Sequence, residues 1–286
     1  MDDSKIFIVG ANGQLGTALR EKYPNAQSAD IDEMDITNRE SVLNYDWSNI
    51  DVVINAAAFT NVDAAETSEG RVAAWKVNAQ AVAYLVEAAQ KNDMTLVHIS
   101  TEYVFDGTHD NHKVDEPFSP LGVYAQTKAA SEIVAGLAAK HYVFRISWLI
   151  GEGNNFVRTM MSLAAKDVSP SVVADQVGRL TFTPALVGVI DHALKTKIEF
   201  GTYNVSNDGE PASWADITRL IFKYMGRGDL KVTDTTTKEY FASKPESAPR
   251  PLKSAMDLSK IMATGLNLTD WRGELKKYVE KEMESK

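Results

Sequence analysis

Short extended segments, most of them apolar, recur at regular intervals through the first half of the chain. They predict buried strands at residues 5–9, 25–29, 51–55, 95–100 and 142–147. Between these segments apolar residues recur at helical spacing, as they do from Val77 through the alanine-rich stretch that follows. Strands that alternate with helices favour an α/β fold, and specifically a doubly wound parallel sheet of the Rossmann type.

The alternation fades after Trp148, where a strand at 142–147 ends. Segments at 154–158, 175–179, 203–206 and 249–254 are interpreted as loops and short elements of a smaller lobe. We therefore expect a dinucleotide-binding domain at 1–148. Residues 149–286 should form mainly a substrate-binding lobe, with some segments returning to the Rossmann sheet. The end of the chain predicts a capped helix that packs through Trp271.

Composition limits the class of protein and its partners. The 286 residues are 44% hydrophobic, enough for a soluble globular protein of one or two domains. The net charge of −9 excludes nucleic acid and anionic membrane surfaces as expected partners. The absence of cysteine excludes disulfides and thiol chemistry and fits the cytoplasm. We also expect no signal peptide and no membrane span.

A glycine turn follows the first predicted strand and leads into a helix. Gly10 permits the tight turn, Gly13 lets the backbone approach a pyrophosphate, and Gly16 allows close packing of helix against strand. The phosphate is expected at the helix N-terminus. The spacing is typical of short-chain dehydrogenases and predicts binding of NADH or NADPH. The same turn includes Asn12, Gln14 and Leu15.

Carboxylates follow the second predicted strand at the distance expected for a ribose contact. Asp30 lies about 20 residues after the first glycine, where an acid accepts from the ribose hydroxyls and slightly favours NADH. Several acids surround it, so which one faces the ribose stays open, and Asp35 with Ile36 is the alternative pair, flanking the adenine. After the third strand, small side chains permit a close cofactor approach at Ala56, Ala57 and Ala58.

A tyrosine and a lysine four residues apart supply candidate acid chemistry. On a helix Lys128 shares a face with Tyr124, and its ammonium is expected to lower the tyrosine pKa from about 10 towards neutrality. The phenol then becomes a usable proton donor. The pattern is weak, because Tyr240 and Lys244 repeat it in a polar segment with no strand before it. Asn78 is either a helix-surface amide or a support for Lys128.

Several longer motifs carry a resemblance to a known family. They are the glycine turn, the segments at 55–66 and 100–107, the Tyr124–Lys128 pair, and the segments at 145–148 and 250–254. With them the chain resembles the dTDP-4-dehydrorhamnose reductases, which are extended short-chain dehydrogenases/reductases, nearly from end to end. The resemblance implies reduction of the C4 ketone of dTDP-4-dehydro-L-rhamnose (dTDP-6-deoxy-L-lyxo-4-hexulose) to dTDP-L-rhamnose by NADH or NADPH.

The resemblance also implies roles at matching positions. Thr101 would hydrogen-bond the ketone, Tyr124 would donate the proton, and Lys128 would bind the nicotinamide ribose. Further cofactor contacts would come from Asn78, Ser100, Tyr124 and Lys128 besides the residues named above. Substrate contacts would come from Thr101, Glu102, Tyr103, Trp148, Asn155, Gln176, Arg179 and Arg250. Arg250 lies between two prolines, so it is either a stiffly held diphosphate clamp or an ordinary surface arginine.

Two positions depart from the family's usual pattern. Glu102 stands where aspartate is usual, and Leu180 stands where a Gly-x-Pro-Thr segment has proline. Both changes affect the expected substrate loop. Some members bind magnesium through glutamates at a dimer interface. No such glutamates can be matched here, so we predict no metal, while a homodimer is a possible assembly.

Two other functions compete with the reductase. A nucleotide-sugar epimerase shares the tyrosine, lysine and glycine turn but retains its NAD, and 286 residues is short for that class. A non-catalytic NAD(P)-binding subunit, like the regulatory subunit of methionine adenosyltransferase, would work by association. The complete set of Thr101, Tyr124 and Lys128 favours an enzyme.

Overall fold

A six-stranded parallel sheet forms the centre of the protein. The computed structural model describes residues 2–244 and 246–284. Across the sheet the strands are β2 (Gln27–Ala29), β1 (Ile6–Val9), β3 (Val52–Asn55), β4 (Thr95–Thr101), β5 (His141–Ile146) and β10 (Gly201–Val205). Every neighbouring pair is parallel. The predicted doubly wound α/β fold is confirmed, and its chain order reverses between β1 and β3, the point where such sheets bind ligands.

Helices cover both faces of this sheet. They are α1 (Gln14–Lys22), α2 (Arg39–Leu43), α3 (Ser68–Trp75), α4 (Ala81–Lys91), α5 (Val123–Ala135) and α7 (Thr183–Thr196). Because side chains alternate along a strand, Ile8 packs with α1 and α7 on one face, while Phe7 packs with α2 and α4 on the other. A π-helical turn, Lys76–Gln80, joins α3 to α4.

A smaller lobe with its own core follows β5. It contains β6 (Leu149–Ile150), α6 (Phe156–Ala165), β7 (Ser171–Val173), β8 (Val177–Gly178), β9 (Thr181–Phe182), β11 (Ala212–Ser213), α8 (Trp214–Tyr224), β12 (Thr233–Thr235), α9 (Thr237–Phe241) and α11 (Trp271–Glu284). Helix α10 (Ser259–Met262) instead returns to the Rossmann sheet and packs against β10 through Ile261. Its strands pair in twos. Trp271 is fully buried in this core, as the sequence predicts, together with Ile221 and Leu275.

One segment differs from its interpretation as part of the smaller lobe. Residues 203–206 were expected to form a loop or short element there, but β10 includes Tyr203 and Val205 and completes the edge of the Rossmann sheet beside β5. Both side chains pack in the core beneath α7. Asn204 points to the other face and donates to the His112 carbonyl. This buried polar residue conceals the strand in the sequence, since the partner of its amide nitrogen is a carbonyl distant in the chain.

None of the helices in the described residues is both long enough and apolar enough to span a membrane.

Candidate active site

A cavity of about 790 Å³ lies at the carboxyl ends of the central strands. Strands β1, β3, β4 and β5 all end at it, so residues distant in sequence face one space. The predicted residues that line it are Gly10, Asn12, Gly13, Gln14, Leu15, Asp30, Asp35, Ile36, Ala56, Ala57, Ala58, Ser100, Thr101, Glu102, Tyr103, Tyr124, Lys128 and Trp148.

The glycine turn forms a cradle for a phosphate group. Gly10 has φ of +77°, and a Cβ there would lie 2.6 Å from the Ala57 nitrogen. A Cβ on Gly16 would overlap the Gly10 carbonyl oxygen, so this glycine serves packing and does not line the cavity. Gly13 precedes the first turn of α1, and Gln14 and Leu15 of that turn line the cavity. These features fit a dinucleotide pyrophosphate.

The carboxylates after β2 are held by backbone amides. Asp30 accepts from the Asn12 nitrogen at 2.8 Å and from the Ile31 nitrogen at 2.9 Å. Asp35 accepts from the nitrogen and hydroxyl of Thr37. Both acids line the cavity, so the structure retains both of the alternatives that the sequence left open.

Tyr124 lies on the first turn of α5 and keeps its proton. Its pKa is raised, chiefly by burial and then by the nearby Glu102, while a hydrogen bond from Thr101 lowers it. The expected lowering of this pKa by Lys128 is therefore wrong for the structure described here, because the lysine is bonded elsewhere. A phenol that retains its proton at neutral pH is suited to act as a general acid.

Lys128 is buried and points at the end of β4. Its Nζ donates to the Ile99 carbonyl at 2.6 Å. Burial lowers the pKa of Lys128 to about 8, and the Glu132 carboxylate opposes that shift. The lysine therefore carries its charge at neutral pH and loses it under mildly alkaline conditions.

A neutral histidine lies beneath Lys128. His98 Nδ1 is 3.2 Å from the Asn55 amide nitrogen, and its Nε2 is 2.9 Å from Ser131 Oγ. Asn55 Oδ1 accepts from the Ala57 nitrogen, which orients the amide as a donor to Nδ1 and leaves the proton on Nε2. Burial and the Lys128 charge hold the pKa of His98 well below its ordinary value. Ser131 in turn donates to the Lys128 carbonyl at 2.6 Å, which ties this network to α5.

A buried ion pair supports the same wall. Arg145 Nε lies 2.9 and 3.0 Å from the two Glu132 oxygens, and Ser100 Oγ donates to Glu132 at 2.5 Å. The Ser100 hydroxyl is thus occupied inside the protein. Sequence reasoning missed His98 and Glu132, although a polar residue within an apolar strand signals the first.

A tryptophan forms the wall of the cavity that faces the smaller lobe. Trp148 adopts φ of +44°, a strained conformation for a non-glycine residue that is often found at functional sites. Its ring stacks on Trp214 of the smaller lobe at a centroid distance of 3.7 Å. Sequence reasoning missed Trp214, because nothing in the local pattern links the two rings.

The chain is similar to a family of known proteins. A family model described as the RmlD substrate binding domain matches residues 4–284. The chain belongs to the RmlD family. The dTDP-4-dehydrorhamnose reductase of Aggregatibacter actinomycetemcomitans is 36% identical over 295 residues, covering 96% of this chain and 97% of that protein.

Solved structures of the RmlD family agree with this fold. The crystal structure of a dTDP-4-dehydrorhamnose reductase from Bacillus anthracis in complex with NADP has a TM-score of 0.87 at 33% identity, covering 96% of this chain and 98% of that one. A dTDP-4-dehydrorhamnose reductase from Clostridium acetobutylicum has a TM-score of 0.89 at 35% identity, covering 97% and 99%.

Two residues predicted to contact ligands make their hydrogen bonds within the protein. Asn78 is buried and exchanges hydrogen bonds with the Phe59 backbone, so it is not the surface amide that one interpretation gave, and it makes no described hydrogen bond to Lys128. Asn155 caps α6 through the Arg158 nitrogen and also donates to Tyr278. Neither side chain lines the cavity.

The remaining predicted substrate residues make hydrogen bonds or ion pairs with other residues of the protein. Gln176 is buried and donates to Thr237. Arg179 donates to the carbonyls of residues 209 and 256. Arg250 pairs with Asp63 at 2.8 Å, and its guanidinium lies over the Phe241 ring. The structure does not bring these three side chains to the cavity wall.

The second tyrosine–lysine pair lies on the surface. Tyr240 is exposed, and Lys244 Nζ lies 4.2 Å from the centre of its ring. In the described residues no group of three or more histidine, aspartate or glutamate side chains is placed to hold a metal ion.

Proposed function

We propose that this protein reduces the C4 ketone of dTDP-4-dehydro-L-rhamnose to dTDP-L-rhamnose, with NADH or NADPH as the reductant. One observation carries the proposal: Thr101, Tyr124 and Lys128 line the same cavity as the glycine turn. The names of the matching RmlD relatives support the same substrate. The bound NADP of the Bacillus anthracis relative supports the cofactor.

Each residue around the cavity has a separate role in the proposed ketone reduction. A bound nicotinamide would supply the hydride. Tyr124, which retains its proton, gives that proton to the ketone oxygen as negative charge develops there. Thr101 holds the same oxygen by hydrogen bonding. Lys128, buried and charged at neutral pH, holds the ribose hydroxyls. Trp148 offers its ring to the sugar.

Three further features belong to the proposal. The net charge of −9 disfavours nucleic acid as a partner, and the lack of cysteine fits the cytoplasm. The homodimer rests on exposed apolar side chains of α3 and α5, two helices that are neighbours on the surface. Light scattering of the purified protein tests the dimer directly.

The test of the reaction uses the purified protein, NADH or NADPH, and dTDP-4-dehydro-L-rhamnose. We expect loss of nicotinamide absorbance that matches the dTDP-L-rhamnose formed. Stoichiometric NAD that copurifies, with no consumption of added NADH, would instead identify an epimerase. Cofactor binding without turnover would identify the regulatory subunit.

A further inference from the structure

Two backbone groups fix the hydrogens of the buried network beneath Lys128. The Ala57 nitrogen can only donate, so the Asn55 oxygen accepts from it at 3.2 Å and the Asn55 amide nitrogen donates to His98 Nδ1. The Lys128 carbonyl can only accept, so Ser131 Oγ donates to it at 2.6 Å and accepts from His98 Nε2 at 2.9 Å. Both ends of the network therefore require the same neutral ring, with its hydrogen on Nε2.

That hydrogen decides what the Lys128 ammonium can bond. Its Nζ lies 3.4 Å from His98 Nε2, close enough to donate to a lone pair there. Because Nε2 carries a hydrogen directed at Ser131, it has no lone pair to offer, and the ring cannot accept from the ammonium. One ammonium hydrogen goes to the Ile99 carbonyl at 2.6 Å. Among the residues that the structure describes, no other acceptor takes the rest, so they are left for a ligand in the cavity that Lys128 lines.

The other tautomer of His98 would have the opposite effect. With the hydrogen on Nδ1, the Nε2 lone pair would accept from Lys128 and draw the ammonium away from the cavity, while Ser131 would lose its donor. The side chains of Asn55, His98 and Ser131 are fully buried, so water does not compete for their hydrogens. The tautomer is thus set inside the protein, by partners that are themselves held by the backbone.

We propose that His98 is a positioning residue for Lys128, and that Asn55 selects the tautomer of His98 on which this positioning depends. The inference rests on the proposed ketone reduction, in which Lys128 holds the nicotinamide ribose. His98 itself does not line the cavity. Its role is to withhold a lone pair, so that the ammonium stays directed at the ribose hydroxyls. No proton moves through this network, and the ring keeps the same hydrogen throughout turnover.

The first test uses the protein alone. Nitrogen-15 NMR of the protein labelled in its five histidines should show, at neutral pH, a ring with a hydrogen on Nε2 and none on Nδ1. The signals of this ring should be absent from His98→Gln, which assigns them. A His98 ring with its hydrogen on Nδ1, or with hydrogens on both nitrogens, would overturn the proposal.

The second test moves the hydrogen. Asn55→Asp keeps the size of the side chain and the contact with Ala57, but it places a carboxylate oxygen, which can only accept, beside His98 Nδ1. The hydrogen should then appear on Nδ1 in the same NMR measurement. NADH affinity in a fluorescence titration should fall about tenfold, because Lys128 loses a charge-assisted contact with the ribose. A hydrogen that stays on Nε2 would refute Asn55 as the selector, and unchanged affinity after it has moved would refute the positioning of Lys128.

Two controls separate positioning from a general loss of structure. Asn204→Asp changes another fully buried asparagine of the same sheet, which donates to the His112 carbonyl, and it should lower the Tm without changing NADH affinity. In a Lys128→Met background, Asn55→Asp should cause no further loss of NADH affinity, since the lysine through which it acts is absent. An equal loss of affinity in Asn204→Asp, or additive losses in the double variant, would contradict a role through Lys128.

Neither test uses the sugar, so the inference and the proposed function fail separately. If the protein does not reduce dTDP-4-dehydro-L-rhamnose but shows the Nε2 hydrogen and the coupling of Asn55 to Lys128, the proposed function fails and the positioning of Lys128 by His98 stands. If the sugar is reduced but the hydrogen lies on Nδ1, the reverse holds.

Discussion

The two halves of the chain use polar side chains differently. On the wall built by residues 1–148, a buried network that includes His98 and Glu132 holds the backbone, and Tyr124 and Thr101 face the cavity. In the second half, Arg179 and Asn155 themselves hold backbone groups. A polar residue that the sequence predicts to be a ligand contact can therefore hold the backbone instead. This happens where no separate network of buried polar side chains holds that backbone.

The largest effect should come from breaking the buried ion pair of the first wall. Glu132→Leu leaves Arg145 buried without its carboxylate, which costs about 3–5 kcal/mol of the free energy of unfolding. Glu87→Leu breaks a solvent-exposed pair and should change the free energy of unfolding far less than Glu132→Leu does. Urea unfolding measures both. Equal losses would mean that the first wall has no special dependence on its buried network.

Loss of the candidate acid should be the next largest effect. Tyr124→Phe should lower kcat about 10²-fold or more while NADH affinity stays near wild type, since only the donated proton is removed. Tyr240→Phe removes the hydroxyl of the surface pair and should leave kcat unchanged. Near-normal turnover in Tyr124→Phe would assign the acid elsewhere, with Tyr103 the next candidate on the same wall.

Two arginines of the second half test whether any polar side chain there contacts a ligand. Arg250→Ala should raise the KM for the dTDP-sugar more than tenfold without changing NADH affinity, because a charge-assisted contact contributes about 1.5–3 kcal/mol. This requires the diphosphate to take Arg250 from Asp63. Arg179→Ala should lower the Tm instead, since it leaves two backbone carbonyls without their donor. An unchanged sugar KM in Arg250→Ala would make both arginines structural.

The smallest expected effect is the pH dependence that Lys128 brings to the first wall. As pH rises through about 8 the ammonium loses its charge, and NADH affinity should fall. Stability should respond oppositely. The unfolded lysine keeps its proton up to its ordinary pKa of 10.5, so between about 8 and 10.5 the folded state binds fewer protons and the Lys128 contribution to stability rises.

Lys128→Met should remove both responses. Cofactor fluorescence titration and thermal melts across this pH range measure them, and the difference between wild type and variant isolates the contribution of Lys128. Parallel pH curves for the two proteins would contradict the lowered lysine pKa.

The accuracy of the sequence predictions depends on whether the signal for a feature is local in the chain. The strands and the glycine turn were predictable because their signals are local: an apolar run, three glycines at fixed spacing, and an acid after the next strand. The protonation state of Tyr124 was not predictable, since its pKa depends on burial and on Glu102. The ion pair of Arg250 was likewise not predictable from the prolines beside it, because its partner Asp63 lies 187 residues away in the chain.

The sequence by itself determined the parallel sheet, the cofactor cradle and the residues that line it, because strand ends place neighbouring motifs at one edge whatever the rest of the chain does. The tertiary structure alone decided which charges are free, which protons are held and where β10 joins the sheet. Those properties arise from burial and from partners distant in sequence, and local patterns of residues carry no information about either.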